Sequence, residues 1–231
     1  MHFFESTFLV FMALCTFHAP AAAKRVSMPA AKILDLVRTF YNKADQLKVS
    51  FVQIAKSKFE PGAGERATGT LYVKRPNRFR WEYDDPSSGS LLVWDGKDLY
   101  QYDAIDNTVE IVHGFTSNNL TTALSFLFGK GDLKSEFEVK SESTNKNGEE
   151  IELKLLPRKK PSRFKELYLV INSKSGEVLK TWWKDSYGGY NSLVFKDLVI
   201  GGHLGRDVFR FHIPKAAEVM ESQGNPGKRS K

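Results

Sequence analysis

The chain has 231 residues, with 34 Lys and Arg against 27 Asp and Glu and a formal net charge of +7 at pH 7. Its one cysteine excludes an internal disulfide, and no apolar run after the first residues reaches the ~20 positions of a membrane-spanning helix. The basic charge is spread along the chain, and no segment orders aromatic, glycine and basic residues as nucleic-acid-binding modules do. We therefore expect one globular domain with no nucleic-acid partner.

The first residues have the pattern of an export signal. An apolar core at 7–15 is followed by Ala19-Pro20-Ala21-Ala22-Ala23, so we place cleavage after Ala23. Leu14 is not the small residue that a lipid-attachment site needs before its cysteine. These features predict a signal peptide at 1–23, a soluble secreted domain at 24–223 and a disordered basic tail at 224–231.

A helix is predicted near the start of the mature chain. From Pro29 to Gln46, apolar residues recur at steps of three and four, which is the pattern of an amphipathic helix. Val37 and Tyr41 lie on its apolar face.

Short alternating segments follow the helix and predict β-strands. They lie at 48–58, 66–75, 78–84, 90–94, 98–102, 108–113, 136–143, 150–156, 164–172, 177–184, 190–199 and 207–213. Turns are marked at Asp95-Gly96, Asn147-Gly148, Ser175-Gly176, Gly188-Gly189 and Gly201-Gly202. This spacing predicts a mainly β fold in which one antiparallel meander curls into a barrel or half-barrel.

The strands around Pro76 carry the strongest side-chain pattern. Leu71, Val73 and Arg75 share one face of the first strand, because successive side chains point to opposite faces. Phe79, Trp81 and Tyr83 share one face of the next strand. A guanidinium in register with apolar residues needs acceptors close by, since it keeps its charge. Arg75 is therefore a candidate functional residue.

One segment interrupts the strands with a second apolar helix. Ser117-Asn118-Asn119 can cap it, and the apolar residues that follow include Leu124 and Leu127, before Gly129. A helix that is apolar on more than one side must cover an apolar surface. Sheet and helices together predict a hydrophobic cavity with a helical lid.

No catalytic or metal site is indicated. His113, His203 and His212 have no metal-ligand spacing with each other, with a cysteine or with a carboxylate, and nucleophile-elbow and phosphate-binding glycine motifs are absent. Asp84-Asp85 precedes Pro86 and is typical of a turn. We expect no enzyme activity and no cofactor.

The motifs, taken in order, resemble the outer-membrane lipoprotein carrier family, LolA, over nearly all of the mature chain. The segments that carry the resemblance are Ser50-Phe51-Val52-Gln53, Gly69-Thr70-Leu71-Tyr72-Val73-Lys74-Arg75-Pro76, Phe79-Arg80-Trp81, Asp95-Gly96-Lys97, Tyr100-Gln101-Tyr102 and Leu127-Phe128-Gly129-Lys130-Gly131-Asp132-Leu133.

This resemblance implies an unclosed antiparallel β-barrel with a helical lid, working as a monomer in the periplasm. Such a carrier takes acylated lipoproteins from an inner-membrane ABC transporter and gives them to an outer-membrane receptor. The resemblance also assigns Arg75 to lid closure, through hydrogen bonds to the lid backbone. The expected lipid-binding residues are Val37, Tyr41, Leu71, Val73, Phe79, Trp81, Leu124 and Leu127.

Three other readings stay open on the residues alone. A secreted lipid-binding or lipoprotein-sensing module could use the same cavity. A lipid hydrolase would need a Ser or Asp beside one of the three histidines. A passive barrel with a filled core would have no cavity.

Overall fold

The computed structural model describes residues 28–43, 45–59, 62, 64–116, 133–145, 147–158, 164–185 and 188–224. Helix α1 spans Ala30–Tyr41, and a short helix α2 spans Leu133–Glu136. None of the helices in these ranges is long and apolar enough to cross a membrane. The signal peptide, the predicted lid helix and residues 225–231 of the predicted tail lie outside the described residues.

In the described ranges, twelve β-strands form one sheet. They are β1 (Gln46–Lys56), β2 (Glu65–Lys74), β3 (Arg78–Tyr83), β4 (Leu91–Trp94), β5 (Leu99–Asp103), β6 (Thr108–His113), β7 (Phe137–Thr144), β8 (Glu150–Pro157), β9 (Phe164–Asn172), β10 (Val178–Asp185), β11 (Tyr190–Ile200) and β12 (Glu218–Gln223). The predicted turns at Gly96, Gly148, Gly176, Gly188 and Gly201-Gly202 are confirmed, each glycine having a positive φ.

The sheet is open and curled, as the prediction of an unclosed barrel required. The strand order is β12-β6-β5-β4-β3-β2-β1-β11-β10-β9-β8-β7. It consists of two antiparallel meanders, β1–β6 and β7–β11, joined by the β1–β11 pair. The expected single meander is therefore wrong in detail, because the chain crosses from one end of the sheet to the other between β6 and β7.

The core lies on one face of the sheet, called here the inner face. Alternate residues of the strands point to it, among them Leu47, Val49 and Phe51 of β1, each 3% exposed or less. Helix α1 covers this face with Ile33, Leu34, Val37 and Tyr41, which recur at helical spacing. Burying that stripe holds α1 on the sheet.

Helix α1 is shorter than predicted. It ends at Tyr41, and the chain already enters β1 at Gln46. The carbonyl oxygen of Asp45 accepts a hydrogen bond of 2.7 Å from the Arg75 N–H. This carbonyl is therefore bonded to the β2–β3 turn instead of continuing the helix. The predicted boundary at Gln46 followed the periodicity alone.

The predicted strand at 207–213 is wrong. Residues Arg206–Phe209 form a 3₁₀ helix, and residues 210–213 belong to no strand. Phe209 is buried, and Phe211 packs against Tyr100 and Tyr102 at ring-centroid distances of 5.5 and 5.9 Å. The alternation of apolar residues reflects packing of this segment against the outer face of β5. The segment does not pair with a strand of the sheet.

The final strand was not predicted. All six residues of β12 are exposed, and β12 pairs with β6 in parallel. Its sequence, Glu218-Val219-Met220-Glu221-Ser222-Gln223, has no apolar alternation, so the strand pattern could not identify it. Every other strand pair in the described part of the chain is antiparallel.

Candidate functional site

The inner face of β1, β3 and β4 carries a group of aromatic side chains. The ring centroid of Phe51 lies 4.4 Å from that of Trp81 and 5.4 Å from that of Tyr83. Trp94 lies 6.1 Å from Phe79 and 5.2 Å from Phe115, in edge-to-face arrangements. Strand alternation places these rings together, as the parity of Phe79, Trp81 and Tyr83 predicted.

Six of the eight predicted lipid-binding residues lie in the described part of the chain, and they meet on this face. Val37, Tyr41, Leu71, Val73 and Phe79 are buried members of one apolar cluster, and Trp81 packs against that cluster. Leu124 and Leu127 lie outside the described residues.

Tyr41 joins helix α1 to the sheet through a polar contact inside the apolar cluster. Its hydroxyl oxygen accepts a 3.3 Å hydrogen bond from the Val178 N–H. Burial raises the pKa of the Tyr41 hydroxyl far above its ordinary value, which keeps this group neutral.

Some large apolar side chains of the inner face are only half-buried. Trp81, Tyr83, Leu92 and Phe115 pack against the buried cluster and remain partly exposed. The Tyr83 hydroxyl donates a 2.6 Å hydrogen bond to Gln53 Oε1, so its polar end is satisfied. Burial also raises the pKa of Tyr83. This part of the face is therefore apolar, uncharged and within reach of water.

Arg75 lies just beyond β2, in the turn that precedes β3, and is half-buried. Its Nη1 donates to Asn42 Oδ1 over 3.3 Å, at the carboxyl end of α1. Burial lowers the pKa of the guanidinium, and the Asp45 carboxylate opposes that effect. The guanidinium thus contacts one of the two predicted covering helices, through a side-chain oxygen. The expected contacts with the second helix fall outside the described residues.

His113 makes contacts that the sequence spacing did not predict. Its Nδ1 lies 3.3 Å from Asp98 Oδ2, and its Nε2 lies 3.4 Å from Glu221 Oε2 on β12. The two carboxylates meet opposite ring nitrogens, so the three groups do not converge on one metal position. His203 and His212 are exposed.

This histidine also bears on the hydrolase reading, which needed a Ser or Asp beside it. Asp98 does lie beside His113, but the other ring nitrogen faces a carboxylate instead of a hydroxyl.

The Asp84-Asp85 pair forms a turn as predicted, with Asp85 Oδ1 accepting hydrogen bonds from the Ser87 N–H and hydroxyl at 2.9 and 2.8 Å.

Trp94 and Phe115, which belong to this aromatic group, were not among the site residues predicted from the sequence. The Asp95-Gly96 turn fixes the β4–β5 register, and the β3–β4 ladder sets Phe79 opposite Trp94. Counting back from that turn would have placed Trp94 on the inner face. Phe115 lies two residues beyond the end of β6 and has no comparable signal in the sequence.

The model of the family described as outer membrane lipoprotein carrier protein LolA matches residues 42–212. That match spans most of the chain and includes the strands of the aromatic inner face. The chain belongs to the LolA family.

Individual relatives agree with this assignment. An outer-membrane lipoprotein carrier protein of Cupriavidus necator is 34% identical over 160 residues, covering 67% of this chain and 71% of the relative. One from Neisseria meningitidis serogroup C is 27% identical over 213 residues, covering 92% of this chain and 96% of the relative. These are carrier proteins by name, so the prediction that this LolA-family chain is not an enzyme is confirmed.

A solved structure supports the fold alone. An uncharacterized conserved protein from Thermus thermophilus superposes with a TM-score of 0.52 at 19% identity, covering 84% of this chain and 99% of the other.

Proposed function

We propose that this LolA-family protein is a periplasmic carrier that shields the acyl chains of lipoproteins between the inner and outer membranes. The observation that carries the proposal is the half-buried apolar surface on the inner face, around Trp81 and Phe115, next to a fully buried cluster. A permanently filled core would bury these rings, whereas a lipid carrier needs apolar surface that a ligand can reach.

Transfer energetics explain why a lipoprotein needs such a carrier. Each buried methylene contributes ~0.8 kcal/mol, so one sixteen-carbon acyl chain contributes on the order of 12 kcal/mol when it leaves water. An acylated protein therefore crosses an aqueous compartment slowly by itself. The inner face offers uncharged aromatic and aliphatic groups, which suit acyl chains. Binding of acyl chains by such groups requires no covalent bond and no metal ion.

A carrier must also release its cargo, and Arg75 is the proposed means. Its bond to Asn42 ties the β2–β3 turn to the end of α1. If acyl chains must break bonds of this kind to enter, closure of the empty carrier opposes loading and favours delivery. Leu124 and Leu127 would complete the covered surface from the second helix.

The transfer steps are part of the same proposal. The predicted signal peptide at 1–23 directs the chain to the periplasm, where a monomer would receive lipoprotein from an inner-membrane ABC transporter and pass it to an outer-membrane receptor. Residues 24–223 would form the carrier domain, with 224–231 as a tail.

The direct test is to mix the purified protein with an acylated lipoprotein, remove detergent, and analyse the mixture by size-exclusion chromatography. We expect a soluble one-to-one complex with the acylated lipoprotein and none with its unacylated form. Trp81→Glu should abolish the complex, because a carboxylate on the inner face would be desolvated by an acyl chain.

The matched control is Val170→Glu, which places the same charge on the half-buried outer face of β9. It should leave the complex intact. Equal complex formation by folded Trp81→Glu and wild type would show that the inner face does not bind the acyl chains.

A further inference from the structure

The outer face of β1, β2 and β3 is strongly basic. Alternation and the ladder register give this face the even-numbered residues of the three strands. Its charged members are six basic residues and one acidic residue, Lys48, Lys56, Arg66, Lys74, Arg78, Arg80 and Glu82. The inner face of the same strands carries one charge, Glu65. The positive charge of these strands is therefore almost entirely on the side away from the proposed acyl-chain site.

Most of this charge is not neutralised by neighbouring acids. Glu82 is committed to Arg80, whose Nε and Nη2 each donate to it over 2.9 Å. Lys48, Lys74 and Arg78 form no ion pair with any residue in the part of the chain that the structure describes.

Two of these cations oppose each other directly. Lys74 and Arg78 are partners in the β2–β3 ladder, a position where like charges are destabilising. In the next row of the same face, Lys48 is opposite Tyr72, and its Nζ lies 5.5 Å from the centre of the Tyr72 ring. A cluster that repels itself in the free protein gains stability when an anionic surface covers it. We call Lys48, Tyr72, Lys74 and Arg78 the basic patch.

A hollow with both polar and apolar lining adjoins the basic patch on the same face. It has a volume of about 290 Å³ and includes Ser50, Thr68 and Thr70 in its lining, with Lys196 of β11 beside them. Hydroxyl groups and a lysine are suitable donors for a phosphate oxygen. Arg66 and Asp84, which carry opposite charges, also line the hollow.

We propose that the basic patch is a docking surface for an anionic phospholipid membrane. The cations extend over three strands, and two residues along a strand span about 6.6 Å, so the charge is spread over a plane instead of converging on one acidic side chain. Tyrosine and lysine are residues that favour the membrane–water interface. Docking by the outer face leaves the inner face, with its proposed acyl-chain site, on the opposite side of the sheet.

The test is sedimentation of the purified protein with vesicles of phosphatidylglycerol and phosphatidylcholine, and with vesicles of phosphatidylcholine alone. Each lysine or arginine near an anionic surface is worth about a fivefold change in binding, so the triple variant Lys48→Gln, Lys74→Gln, Arg78→Gln should bind on the order of a hundredfold more weakly. Binding by wild type should fall between about 0.05 M and about 0.5 M salt.

The matched control is Lys165→Gln, Lys174→Gln, Lys215→Gln, which removes the same net charge from exposed positions outside the patch. It should bind the anionic vesicles much as wild type does. The patch variant should also unfold at the same or a higher temperature than wild type, because it removes the Lys74–Arg78 repulsion.

Equal losses in the two triple variants would overturn the proposal, since binding would then follow net charge alone. Equal binding to neutral vesicles would overturn it too, because uptake of acyl chains does not require an anionic headgroup. If wild type binds neither kind of vesicle, the proposal is also overturned. An acidic protein would then be the partner to test for the basic patch. None of these outcomes depends on lipoprotein complex formation, which tests the proposed function separately.

Discussion

Gly69 shows how one residue shapes the inner face. It is opposite Phe51 in the β1–β2 ladder and opposite Tyr83 in the β2–β3 ladder. A Cβ atom at this position would overlap the Phe51 ring and the Glu82 carbonyl oxygen. The absence of a side chain is therefore what lets the aromatic group close over β2.

We expect Gly69→Ala to lower the free energy of unfolding by roughly 1–3 kcal/mol, because the added methyl group must displace a ring or the backbone of β3. Urea denaturation followed by tryptophan fluorescence measures the change. Gly205→Ala is the control, since a Cβ there meets nothing within 4 Å, and it should be neutral or slightly stabilising. A Gly69→Ala variant as stable as wild type would show that the Phe51 ring repacks freely.

Arg75 combines charge with partial burial at the edge of the same face. Replacing it with Leu removes the donor to Asn42 and adds apolar surface. Closure should lose roughly 1–3 kcal/mol per charge-assisted hydrogen bond, so the loaded state becomes more favourable relative to the empty one. We predict that Arg75→Leu accepts lipoprotein but releases it poorly to an outer-membrane acceptor, as measured in a transfer assay.

Two variants make the Arg75 test specific. Asn42→Ala should slow release partially, because it removes one acceptor and keeps the guanidinium. Arg38→Leu removes an exposed arginine of α1 that pairs with Asp35, and it should release cargo normally. Release by Arg75→Leu at the wild-type rate would leave Arg75 without a role in closure.

At the scale of elements, β12 depends on contacts far along the chain. The ladder with β6 holds it, and its Glu221 reaches His113. Hydrogen bonds raise the pKa of His113. The bond to Asp98 has the larger effect and the bond to Glu221 the smaller one. For Asp98, burial acts to raise the pKa, but the Gly114 N–H, His113 and Lys97 together bring it below the ordinary value. A protonated His113 thus links β12 to the β4–β5 turn.

The sign of the pH dependence follows from the raised pKa. Stabilisation by His113 is fully present below the unfolded pKa of about 6.5 and is lost as pH rises through the higher folded pKa. We therefore expect the Tm difference between wild type and His113→Gln to be largest near pH 6 and to shrink toward pH 9, measured by thermal melts. His203→Gln, at an exposed position, is the control variant. A pH-independent difference for His113→Gln would contradict the ion-pair account.

Elements near in sequence were the predictable ones. The turn glycines and the apolar alternation identified each strand from β1 to β11. The predicted ends of these strands lie within one or two residues of the observed ends. The same alternation at 207–213 was misread, because Phe209 is buried and Phe211 packs against Tyr100 while neither residue belongs to a strand. Periodicity reports which side chains are buried, and it does not report what the backbone hydrogen-bonds to.

At the scale of the whole molecule, the two sides of the sheet have different properties. The inner face of β1–β3 is apolar and covered by α1, whereas the outer face of the same strands is basic. Strand alternation produces both from one sequence, since every second residue belongs to the other side. Under the two proposals made above, acyl chains would bind on one side of the sheet and an anionic surface would meet the other.

The sequence by itself determined the mainly β fold, the family, the turn positions and the inward direction of Val37, Leu71, Phe79 and Trp81. Each of these depends on spacings within a single element or hairpin, which local patterns record. The tertiary structure alone decided that β1 pairs with β11, that β12 runs parallel to β6 and that His113 lies between Asp98 and Glu221. Most of these contacts join residues more than a hundred positions apart, and only the packing of the whole sheet brings such residues together.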